Sequence, residues 1–64
     1  MNDLNVDYLA ELMQEKLAVE RGSHRESYIQ GRIYEFSTQN AVTDEEMQTA
    51  ETIARLRYSQ RLFV

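Results

Sequence analysis

At 64 residues the chain is about half the size of an ordinary domain, which leaves no room for a second one. Its composition, 42% hydrophobic and 28% charged, is that of a folded chain and excludes a disordered one, while the lack of cysteine excludes disulfides, thiolate metal sites and cysteine nucleophiles. The formal charge of −4 disfavours nonspecific binding to nucleic acid or to anionic membranes.

Proline is absent and glycine occurs twice, which suits long helices and not a turn-rich β-sandwich. No apolar run approaches the roughly 18 residues of a membrane span, and no signal-peptide pattern opens the sequence, so the expected compartment is the cytoplasm.

The first predicted helix covers residues 4–20. Val6, Leu9, Ala10, Met13 and Leu17 recur at helical spacing on one face, and Tyr8, Leu12 and Val19 form an adjoining one. The apolar arc then spans about 200°, twice the stripe of about 100° that a single neighbour requires. Packing on two sides is expected, inside a small bundle or against another subunit. The following segment, residues 20–27, carries no apolar side chain. Gly22 fits a helix C-cap, and Ser23 with Glu26 forms a Ser-x-x-Glu capping box that starts a new helix. A break or kink at Gly22 is favoured over a continuous helix.

Residues 24–39 form the second predicted helix, with Ile29, Ile33 and Phe36 on its inner face and Tyr28 at the edge. The stretch 28–36 is also rich in β-formers around Gly31, and a β-hairpin is the alternative. The flanking caps and the lack of an Asn-Gly or Asp-Gly turn favour the helix. The third predicted helix runs over residues 44–62. It begins at a capping box made by Thr43 and Glu46, with Asp44, Glu45 and Glu46 where the helix dipole favours acids, and its arginines gather at the far end.

At Tyr28-Ile29-Gln30-Gly31-Arg32-Ile33 the sequence resembles short helical-hairpin proteins encoded by tailed bacteriophages, over about ten residues. Tyr34-Glu35-Phe36 stands where a second glycine followed by leucine is more usual in those proteins. The resemblance implies a helical hairpin and a phage setting, in the host cytoplasm or the virion, with a role in assembly or host interference. It carries over no functional residue.

Three side-chain sets are candidates for contact with a partner. Asp3, Asp7, Glu11 and Glu15 follow an i, i+4 ridge, which reads as a solvated face, as an acidic docking strip or as a partner for arginines of another copy. Arg57 and Arg61 continue the line of Ala50 and Ala54, between Met47, Tyr58 and Leu62 on one flank and Ile53, Leu56 and Phe63 on the other. Their guanidiniums must snorkel or meet carboxylates. Alternatively, Arg55, Arg57, Tyr58, Arg61 and Phe63 make an arginine–aromatic surface for nucleic acid, or the arginines face a protein. Tyr34 projects off the Ile29-Ile33-Phe36 face as an exposed aromatic anchor.

No set of residues has the spacing of a nucleophilic triad or a phosphate-cradling glycine loop, and His24 has only Glu20 as a companion, too few ligands for a metal. A chain of this size buries only about 60% of its unfolded surface, so association is the device left to stabilise it. The sequence therefore points to an all-α bundle of three helices that self-associates, needs no cofactor, spans no membrane and is not an enzyme. Its expected work is to bind a protein by occupying or bridging a surface, through Asp7, Glu11, Leu12, Glu15, Tyr34, Leu56, Arg57, Arg61 and Phe63. The rival readings are a virion or assembly component and a nucleic-acid-binding dimer using the arginine end of the third helix.

Overall fold

A computed structural model describes residues 2–62. Helix α1 spans Asp3–Ala18, α2 spans His24–Gln39 and α3 spans Asp44–Leu62. The chain is an all-α three-helix bundle, and among the described residues there is no strand. The hairpin alternative at residues 28–36 is thereby excluded, since that whole stretch lies inside α2.

Each helix starts where a side chain satisfies its orphan N–H groups. Asn2 caps α1, its Oδ1 accepting from the backbone of Leu4 at 3.1 Å and of Asn5 at 3.2 Å. Ser23 caps α2 by accepting from Glu26 N–H at 3.1 Å. The Glu26 carboxylate reaches one residue further back than an ordinary capping box and accepts from Gly22 N–H at 2.8 Å. The reason is local: Ser23 N–H already donates to the Glu20 carbonyl at 3.2 Å, closing a reverse turn. Gly22 sits inside that turn at φ +82°, a conformation that favours glycine. Its role therefore differs from the expected C-cap: α1 ends earlier, capped by Val19 in extended conformation.

The turn from α2 to α3 is a Schellman motif. Val42 N–H donates to the Ser37 carbonyl at 2.9 Å and Ala41 N–H to the Thr38 carbonyl at 3.4 Å. The residue between, Ala41, lies at φ +48°, where an alanine is strained and a glycine would not be.

Helix α1 packs on both of its neighbours, while no Cα of α2 comes within 8 Å of one in α3. The wide apolar arc of α1 thus faces two neighbours within one molecule. Tyr8 stacks on Phe36 of α2, with ring centroids 4.6 Å apart and planes tilted by 47°. On the other side, Ala50 and Ala54 are fully buried, and their small side chains let α3 lie close to α1. The buried core comprises Val6, Leu9, Ala10 and Leu12 of α1, Ile29 and Ile33 of α2, and Ala50 of α3. Leu12, expected to meet a partner from outside, belongs to this core and cannot do so. The α-carbon envelope of 32 × 26 × 15 Å is two helix layers thick, with α1 behind and the separated α2 and α3 in front.

Candidate partner-binding groove and helix-end clamp

Because α2 and α3 stand apart, a groove of about 480 Å³ opens between them with the C-terminal half of α1 as its floor. Met13, Leu17, Val19, Ile33, Met47 and Ala54 supply its apolar lining. Leu17 shows why the groove exists. It lies eight residues after the fully buried Leu9 on the same stripe, yet it is 40% exposed because neither α2 nor α3 closes over it.

The rim is charged, and its charges are unequally occupied. Arg55 binds Glu51 at 2.7 Å, and Glu26 is engaged by the Gly22 N–H. Lys16 donates to the neutral amide of Gln30. Arg21, also on the rim, makes no ion pair among the described residues.

The opposite end of α1 is closed by a carboxylate. Glu46, at 8% exposure, accepts from the backbone N–H of Thr43 at 3.0 Å and from that of Asn2 at 2.9 Å, on separate oxygens. Thr43 Oγ1 also lies 3.2 Å from Glu46 Oε1 and accepts from Glu46 N–H at 3.1 Å, completing the predicted capping box. One side chain therefore ties the starts of α1 and α3 together. The Asn2 and Thr43 amides hold the Glu46 carboxyl below its ordinary value of 4.5, against the opposing effect of burial. The capping box is visible in sequence. The bond to Asn2 crosses 44 positions and has no local signal, although Asn2 itself is a readable N-cap.

The candidate ridge on α1 is dispersed. Successive i, i+4 positions rotate by about 40° around a helix, so the ridge drifts from the α3 side to the α2 side. Accordingly Asp7 faces Arg57 of α3 at 3.8 Å, and Glu15 binds Arg25 of α2 at 2.6 Å. Both pairs are solvent-exposed, where such contacts contribute little. Asp3 and Glu11 face solvent. Arg57 thus meets an intramolecular carboxylate, one of the alternatives its position allowed, and Arg61 is exposed. Tyr34 is 70% and Leu56 60% exposed, each pointing outward, whereas Phe63 lies outside the described residues. A second aromatic group was not anticipated: Arg32 donates to Tyr8 Oη at 2.8 Å while its guanidinium carbon lies 5.9 Å from the Tyr28 ring centre.

Among the described residues no group of three or more His, Cys, Asp or Glu side chains could hold a metal, and no helix is long and apolar enough to cross a membrane. Every buried side-chain nitrogen or oxygen among them has a hydrogen-bond partner. Comparison with protein-family models, with curated proteins and with solved structures yields no match.

Proposed function

We propose that this chain is a noncatalytic protein-binding module that acts by occupying or bridging a partner's surface. The observation that carries this reading is the apolar surface left uncovered, Leu17 in the groove and Leu4, Tyr28, Tyr34, Leu56 and Leu62 outside it, on a bundle that pairs its buried polar groups. Exposed apolar side chains in this number on so small a chain support an interaction role.

The nucleic-acid reading draws less support, because Arg55 and Arg57 already face Glu51 and Asp7. Self-association remains part of the proposal through the outward Leu56 and Leu62. A fixed assembly role would use these same surfaces.

The test is the mass of the purified chain by light scattering, alone and after incubation with cell lysate and nuclease. The expected result is a saturable protein complex that resists nuclease and persists from low to moderate salt. A complex that dissolves with nuclease, or falls steeply with salt as phosphate contacts do, overturns the reading.

A further inference from the structure

The two turns of the bundle differ in fit. In the first, Gly22 takes the left-handed conformation at φ +82°, which glycine adopts without strain. The helices on either side of it are tied together by the Tyr8–Phe36 stack, the Glu15–Arg25 pair and the bond from Arg32 to Tyr8 Oη. In the second, the Schellman turn holds Ala41 at φ +48°, in the position that glycine normally fills. The helices on either side of that turn share no such tie. No Cα of α2 comes within 8 Å of one in α3, and no ion pair among the described residues links them.

Helix α3 is therefore held through α1 alone. Its seam there consists of the buried Ala50 and Ala54, the Glu46 bond to the Asn2 amide and the exposed Asp7–Arg57 pair. Nothing in that seam requires both helices to belong to one chain. The Thr43–Glu46 capping box lies wholly at the start of α3 and travels with it. What assigns α3 to its own α1 is the turn at Asn40–Val42, and that turn is strained. Short hinges under strain favour the exchange of an identical element between copies. An opened hinge gives up the two Schellman bonds and part of the packing of Val42, whose side chain is only half-buried.

Resting on the self-association within the protein-binding reading, we infer that two copies of this chain exchange α3. The turn at Asn40–Val42 opens, Ala41 leaves the left-handed region, and the α1–α2 hairpin of each copy receives the α3 of the other. The Glu46–Asn2 bond and the Asp7–Arg57 pair then run between subunits, and the outward Leu56 and Leu62 stay outside the exchanged seam.

The test mixes isotope-labelled and unlabelled full chains, unfolds them in urea and refolds them together at rising concentration, up to millimolar. Light scattering is expected to show a dimer that grows with the refolding concentration. Isotope-filtered NOEs in that dimer are expected to connect the Ala50 and Ala54 methyls of one chain with Val6, Leu9 or Ala10 of the other. Ala41→Gly, which fits the closed turn without strain, is expected to keep the helical fold and to weaken the dimer roughly tenfold. A chain that stays monomeric throughout, cross-chain NOEs at Leu56 and Leu62 but not in the α1–α3 seam, or a dimer that Ala41→Gly leaves equally tight overturns the exchange. A lysate-protein complex formed by the monomer keeps the protein-binding reading standing when the exchange fails. Its absence beside an exchanged dimer removes the foreign partner and keeps the exchange.

Discussion

The two halves of α1 share one stripe and end in different environments. Around Leu9 the helix is enclosed on both sides, and its start is fastened to α3 by Glu46. Around Leu17 the same stripe runs on, but neither α2 nor α3 covers it and the side chain is left in an open channel. Hydrophobic periodicity is a property of one helix, whereas burial depends on where the neighbours go. The half closed by a polar clamp is the enclosed half, and the other is left open to solvent.

Truncating the same residue type at the two positions should separate these roles. Leu9→Ala is expected to cost about 2–5 kcal/mol, as fully buried leucines do. Leu17→Ala should cost no more than about 1 kcal/mol, because much of its surface is already exposed. Urea midpoints measure both, and equal losses would mean that the groove is closed in solution.

Thr43→Ala removes an N-cap and should cost about 1 kcal/mol by the same measurement. Glu46→Gln sharpens this through pH. A carboxyl whose folded pKa lies below its ordinary value stabilises the fold fully above about pH 4.5, and this contribution drains away as pH falls through the lowered folded value. The parent should therefore lose stability over that acidic interval, and Glu46→Gln should lose less there; parallel acid profiles would show that the clamp is not made.

Ala41→Gly relieves a positive φ at the Schellman turn and should raise stability by roughly 0.5–1 kcal/mol, the relief of strain being partly offset by the freer unfolded chain. The smallest effect is expected for Asp7→Asn. Its exposed, 3.8 Å contact with Arg57 should be worth less than about 0.5 kcal/mol, and a larger loss would promote that pair to a structural role.

The helices were legible because their caps are local. Ser23 with Glu26 and Thr43 with Glu46 mark the starts of α2 and α3, and both helices begin and end where the capping and periodicity place them. The first helix was placed a residue late and two residues long, since Asn2 precedes the apolar pattern and the Glu20–Ser23 turn follows it. What one helix cannot encode is the company it keeps. Leu12 reads as an outer residue until the bundle buries it, and the α1 ridge reads as one strip until Asp7 and Glu15 turn to different neighbours. The groove was least legible of all. Its lining draws on all three helices, which the pattern of no single helix can show.

The Glu46 bridge also orders events in time. A ribosome makes the Asn2 amide long before the carboxylate that receives it, so the Asn2 side chain can cap the first turn of α1 at once while the tie to α3 must wait until Glu46 has emerged. Nascent α1 and α2 can pair as a hairpin in the meantime, but this seam closes only on a nearly finished bundle. Any truncation upstream of Glu46 should consequently yield a hairpin whose leading end is held by the Asn2 cap alone rather than a smaller version of the same fold.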